Sequence, residues 1–155
     1  LKAYYSRGKI HIAINQPEKA LMDFNIILFL NPKEIDAYNN RGAIFFQKND
    51  YEKALANYNM AVRINPMYAK AYYNRGTLWG RLGSFANALN DYHVAIKLDP
   101  NFLMAYYYRA MTFEKLENFN DALNDYLRII NIDPSFTPAI ERRDALLRSG
   151  KLLKK

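Results

Sequence analysis

Five arginines, Arg7, Arg41, Arg75, Arg109 and Arg143, recur every 34 residues, and sixteen residues after the first four stands a carboxylate or its amide: Asp23, Asn57, Asp91 and Asp125. A guanidinium and a carboxylate at fixed spacing have two uses. They can pair with each other between helices, or the planar fork can stay free to bind an acidic ligand. Internal pairing is the expected use. Other chemistry finds little to work with. His11 and His93 are isolated, so no metal cluster forms, and there is no cysteine. The sequence contains no glycine-rich phosphate loop and no Ser/His/Asp set. Asp91 and Glu114 fall at ordinary helical surface positions. The expectation is a non-catalytic chain with no cofactor, no metal and no catalytic residue.

The arginines belong to a larger register. Pro32, Pro66, Pro100 and Pro134 share the 34-residue period. So do Ala3, Ala37, Ala71, Ala105 and Ala139, and Gly8, Gly42 and Gly76, with Ala110 in the fourth copy. Ala20, Ala54, Ala88 and Ala122 recur, each followed by leucine, and Phe24, Tyr58, Tyr92 and Tyr126 complete the set. So long a fixed period means that one supersecondary unit is copied and stacked. The copies are about 1–34, 35–68, 69–102 and 103–136, followed by a capping helix over 137–148. Together these make a repeat domain of residues 1–148, and 149–155 form a basic tail or the start of a linker.

Within the second copy the pattern predicts a helix from about Glu34 to Lys48, a turn at Asn49-Asp50, and a helix from Tyr51 to about Ile64. Asp50 serves as N-cap, and Asn65-Pro66 ends the second helix. Tyr38, Gly42 and Phe45 share one face of the first helix, while Ala54, Tyr58 and Ala61 share one face of the second. Gly42 and Ala54 let the axes approach, and the aromatics fill the space beside them. Such a pair has too little apolar area to fold alone, so the copies must stack. Residues 139–148 read as a terminal helix with Ile140, Leu146 and Leu147 toward one side, ended by Ser149-Gly150.

Half of the 155 residues are hydrophobic and 24% are charged, an ordinary balance for a folded domain. The longest apolar run, Ile26–Leu30, is far short of the about 18 residues a membrane helix needs. The formal charge of +7 is uneven. Residues 137–155 carry six Lys/Arg against two acids, whereas the fourth copy has three bases and five acids. The basicity therefore belongs largely to the tail and is a weak argument for nucleic acid. The chain starts at Leu1, already inside a copy, which leads us to expect a piece of a longer protein or a processed chain.

The register resembles the tetratricopeptide repeat family. That family carries an aromatic residue at position 4, Leu at 7, Gly at 8, an aromatic at 11, Ala at 20, Phe or Tyr at 24 and Pro at 32. Tyr4, Gly8, Ala20, Phe24 and Pro32 match in the first copy. Tyr72, Gly76, Trp79, Ala88, Tyr92, Ala95 and Pro100 match in the third. Arg instead of Leu at position 7 is a departure. So is His11, where the other copies have Phe45, Trp79 and Phe113; it is expected to be a satisfied core residue. The resemblance implies an all-α fold, a right-handed superhelical solenoid of antiparallel helix pairs, whose first helices line a concave groove.

By that resemblance, groove positions in the first copy include Tyr5 and Lys9, and in the second Asn39, Asn40 and Phe46. The third supplies Lys70, Tyr73, Asn74, Thr77 and Arg81, and the fourth Tyr107, Tyr108 and Met111. Exposed tyrosines and asparagines suit a peptide, since each combines contact area or amide donors with acceptors. Tyrosines packed on the neighbouring repeat's helix are the alternative. A carboxylate clamp of the kind that grips chaperone tails needs Lys, Asn, Asn, Lys and Arg at five positions. Those positions read Tyr5, Lys9, Asn40, Lys70 and Asn74 here, so the full clamp is absent. Shifting by one copy gives Asn39, Ala43, Asn74, Met104 and Tyr108, a poorer match.

The leading expectation is a scaffold that binds a peptide segment of a partner protein in the groove. The alternatives are a self-assembly module working through repeat ends, or an array that recruits substrate for a larger protein. RNA binding, suggested by aromatics among Lys9, Lys70 and Arg81, is the weakest reading. No signal-peptide pattern is present, and the cytoplasm is the favoured compartment.

Overall fold

The computed structural model describes residues 1–153. Its helices are α1 (Lys2–Ala13), α2 (Pro17–Leu30), α3 (Ile35–Gln47), α4 (Tyr51–Ile64), α5 (Ala69–Arg81), α6 (Phe85–Leu98), α7 (Leu103–Lys115), α8 (Phe119–Ile132) and α9 (Thr137–Arg148), with a 3-10 turn at Lys151–Leu153. Among the described residues no strand occurs, and no helix is long and apolar enough to cross a membrane. The chain falls into two compact units, 1–78 and 79–155, whose boundary lies inside α5.

The punctuation of each copy is local. Asn15, Asn49, Gly83 and Glu117 hold the same turn position with φ of 55°, 60°, 75° and 60°. Left-handed backbone costs Gly nothing and Asn little, which suits three of these four residues. Asp50 then caps α4, its carboxylate accepting from the Lys53 backbone N–H. Each second helix ends at an extended Asn or Asp: Asn31, Asn65, Asp99 and Asp133. Its Oδ1 accepts from the backbone N–H two residues on, at 3.1, 2.9, 3.1 and 2.9 Å respectively. This Asx turn and the proline between its two ends stop the helix together.

In the first unit Ala20, Leu21, Phe24, Ile27 and Leu28 of α2 pack with Ala37 and Ile44 of α3. Tyr58 and Ala54 of α4 pack with Leu78 of α5. Burying a side chain such as Phe24 contributes about 2 kcal/mol. Gly42 is required by this packing, because a Cβ there would meet Tyr58 Cε1 at 2.7 Å. In the second unit Tyr126, Ile129 and Ala122 of α8 pack with Ala139 and Leu146 of α9.

The terminal helix is as expected except at Leu147. Leu146 is buried at 4% exposure, whereas Leu147 is 56% exposed. Adjacent residues lie about 100° apart around a helix, and only Leu146 points back at α8. Gly150, at φ 66°, follows the helix and Ser149. Of the expected basic tail, Lys151 turns back so that its ammonium lies 4.9 Å from the Phe119 ring centroid. Lys154 and Lys155 lie outside the described residues.

Candidate functional site

The arginine column turns inward. Arg7 holds Asp23 through both Nε and Nη2, the latter 2.6 Å from Oδ1. Arg109 does the same to Asp125 at 2.8 and 2.7 Å. In the second copy Arg41 Nε donates to Asn57 Oδ1, and its Nη1 donates to Asn25 of the preceding copy, both at 2.8 Å. Arg75 reaches Asn59 in the same way. Each guanidinium also lies over the tyrosine three residues earlier, at 5.3, 5.4, 5.4 and 5.6 Å for Tyr4, Tyr38, Tyr72 and Tyr106. In the first, second and fourth copies the arginine ties one helix of a hairpin to the other, which is the internal pairing expected rather than a ladder for acidic ligands.

Histidine 11 departs from expectation. Its Nε2 faces Asp23 at 3.9 Å, but Nδ1 is buried with no hydrogen-bond partner among the described residues. A ring that replaces an aromatic of the other copies keeps one polar edge toward the Arg7–Asp23 pair and leaves the other against packed side chains. His93 is exposed.

On the first unit, positions 5 and 6 of successive copies are joined by side-chain bonds. Asn40 Nδ2 donates to Tyr5 Oη at 3.1 Å and to the Asp36 carbonyl at 2.7 Å. Asn74 Nδ2 donates to Asn39 Oδ1 at 2.8 Å. Asn39 is 7% exposed, so its amide serves the interior. Asn40 and Asn74 are half-buried, and with Nδ2 engaged each offers Oδ1 as an acceptor. Tyr5 packs edge-on against Phe24 at 6.1 Å, with the Lys9 ammonium 6.0 Å from its ring centroid. Burial first, and then the Asp36 charge, raise the Tyr5 phenol above its ordinary value. Asp36 also accepts from Tyr68 Oη, and burial and that bond push the Tyr68 phenol strongly up. Thr77 Oγ1 donates to the Tyr73 carbonyl at 3.0 Å, and Phe46 meets the Tyr51 ring at 5.8 Å. Lys70 is exposed and Tyr73 half-buried.

On the second unit Tyr107 is boxed by Tyr108, Tyr126 and Phe136, at 5.9, 6.0 and 5.7 Å. Tyr108 also lies 6.5 Å from Tyr92. Met111 is half-buried and Arg81 exposed. Glu114 accepts from Tyr126 Oη at 2.5 Å and pairs with Arg142 of α9 at 3.4 Å. The sequence pattern places these residues on the right helices. It does not reveal the Asn40–Tyr5 and Asn74–Asn39 bonds, whose shared 35-residue spacing is the one signal that could have found them.

These helix hairpins, identical in register and stacked through small residues opposite aromatics, define a class of helical repeat proteins. The chain belongs to the tetratricopeptide repeat family. The family model described as "TPR repeat" matches residues 42–83, and two described as "Tetratricopeptide repeat" match 69–102 and 105–136. Among solved structures, that of MamA is similar at TM-score 0.82 and 19% identity, covering 94% of this chain and 85% of that one. The first TPR of Spaghetti (RPAP3), bound to the HSP90 peptide SRMEEVD, has TM-score 0.72 and 22% identity, covering 78% and 94%. The Arabidopsis OM64 TPR domain has TM-score 0.70 and 23% identity, covering 74% and 94%. No curated protein sequence matches significantly.

Proposed function

We propose that this chain is a non-catalytic protein-interaction scaffold that binds a peptide segment of a partner along the exposed faces of its first helices. The observation that carries the reading is the pair Asn40 and Asn74. Both are pinned through Nδ2 to the preceding copy, so both hold a side-chain carbonyl ready at equivalent positions one repeat apart. Fixed acceptors at a regular spacing suit the backbone N–H groups of an extended segment, and pre-orientation lowers the entropic cost of binding. Exposed Lys9 and Lys70 add positive charge beside them. The first TPR of Spaghetti (RPAP3), similar in fold, is bound to a peptide, which supports the reading. The incomplete clamp at Tyr5, Lys9 and Asn74 argues against the same acidic tail as ligand here.

The test is affinity capture with the 155-residue chain, wild type beside Asn40→Ala/Lys70→Ala, read by mass spectrometry after nuclease treatment. A protein held by the wild type and lost from the variant, with both melting as folded proteins, supports the reading. Prey held equally by both would place binding elsewhere, and recovery abolished by nuclease would point to RNA. Losing the Asn40 bond to Tyr5 should itself cost about 1 kcal/mol, which a melting curve registers separately.

A further inference from the structure

Position 29 of the repeat faces solvent on every second helix, and its occupants are Phe29, Arg63, Lys97 and Asn131. Phe29 is 86% exposed. Position 22 repeats the contrast: Met22, 67% exposed, stands where the other copies carry exposed Ala56, Asn90 and Asn124. Stacking covers neither position. The second copy has the first before it and the start of the third after it in the same unit, and its Ala56 and Arg63 are still exposed. Phe29 and Met22 belong to a row, Lys19, Met22, Ile26, Phe29 and Lys33, whose spacings of 3, 4, 3 and 4 residues are those of a coiled-coil seam. Lys19 opens the row in the first turn of α2, and Lys33 closes it in the turn beyond the helix end. The three apolar members span about 60° of the helix surface at about 100° per residue. A core-facing helix needs a stripe of about 100° or more, whereas so narrow a row suits one partner helix.

We propose that the Met22, Ile26 and Phe29 row of α2 docks an amphipathic α-helix of a partner protein that carries an acidic residue at each end of its own apolar row. Charge selects this occupant. Lys19 and Lys33 are exposed, and among the described residues neither ammonium is paired. The polar residues along the other edge are engaged within the chain, Glu18 with Lys48 and Asn25 with Arg41 Nη1. The available charge at the ends of the row is thus positive, which carboxylates on an incoming helix complement. A second copy of α2 fits worse in either direction. Parallel pairing sets Lys19 against Lys19, and antiparallel pairing about Ile26 sets Lys19 against Lys33. A bilayer is also a poorer match, because so narrow a stripe has little apolar area to insert. The row shares no residue with the asparagine site, so it does not depend on the peptide-binding reading.

The probe is a stapled, fluorescent helix whose seam reads Glu, Leu, Ile, Leu and Glu at the same spacing, and its control has Lys in place of both Glu. Each is titrated against the whole 155-residue chain and followed by anisotropy. The expected result is saturable binding of the acidic probe, weakened at least about tenfold by Phe29→Asn and by the lysine control. The penalty on the control should shrink as salt is raised, and that of Phe29→Asn should persist. Asn131 occupies this position in the fourth copy and Phe29 is 86% exposed, so Phe29→Asn should keep the wild-type melting curve. No saturable binding, equal binding by Phe29→Asn, or no preference for the acidic probe overturns the proposal. Loss of binding in Asn40→Ala would place the probe in the groove and overturn it too. So would a wild-type mass that doubles with concentration while Phe29→Asn stays monomeric, since the occupant would then be a second copy. Sedimentation with phosphatidylserine vesicles that Phe29→Asn abolishes, without binding of the probe, would assign the row to a lipid surface instead.

Discussion

The first and fourth copies place the same three side chains in the same hairpin, yet their electrostatics run in opposite directions. In the first, Arg7 is 58% exposed over a buried Asp23, and its hydrogen bonds hold the carboxyl below the ordinary value. In the fourth, Arg109 is 16% exposed, and burial raises Asp125 despite the same bidentate partner. The second copy shows a third solution: neutral Asn57 accepts from Arg41, and burial draws that guanidinium below its ordinary value. The first and fourth copies carry the same Arg–Asp pair, so its surroundings decide whether the ion pair or its desolvation dominates.

The largest effect that separates the two clasps should come from removing the arginine. Arg109→Ala leaves Asp125 deep in the second unit without a charge partner and should destabilise the protein by about 3 kcal/mol. Arg7→Ala opens a gap that water can enter above Asp23, so its loss should be clearly smaller. Urea melts of the two variants beside wild type check this. Equal losses would mean that burial around the two sites does not differ in the way their exposures indicate.

Much of this arrangement is legible in the sequence, for identifiable reasons. The bounds of α4 follow from Asp50 and Pro66, because capping and a missing N–H act within a few residues. The Arg–Asp pairing follows from two columns with one period. The inter-repeat bonds of Asn39 and Asn40 do not. Positions 5 and 6 diverge by about 100° around the helix, and which one meets the neighbouring copy depends on how the helices cross.

Position 8 sharpens the comparison at a smaller scale. Gly42 faces Tyr58 so closely that an added Cβ would sit 2.7 Å from Cε1, whereas at Gly8 the nearest approach is Phe24 Cζ at 3.2 Å. The fourth copy already carries Ala110, fully buried in the cluster that holds Tyr126. Gly42→Ala should therefore cost about 1–3 kcal/mol through overpacking, and Gly8→Ala less, offset in part by the helix propensity of alanine. Thermal melts of the two variants decide it. A Gly42→Ala protein as stable as wild type would show that Tyr58 can retreat.

The smallest effect is the most discriminating, because the two carboxylates should respond to acid with opposite signs. The ordinary carboxyl value is 3.8, and Asp23 titrates below it in the fold. The stability it contributes is present above 3.8 and is lost as the pH falls through the lower, folded value. Asp125 titrates above 3.8. Its contribution is complete below 3.8 and is lost as the pH rises through the raised value, so at neutral pH the ionised group is a burden on the fold. Replacing each by asparagine keeps an acceptor for the arginine, as Asn57 does for Arg41. Urea melts between about pH 7 and pH 3 should then show the wild type losing ground to Asp23→Asn on acidification and gaining ground on Asp125→Asn. If both differences ran the same way, the contrast between the exposed and the buried clasp would fail at its source, in the balance between a hydrogen-bonded charge and the water taken from it.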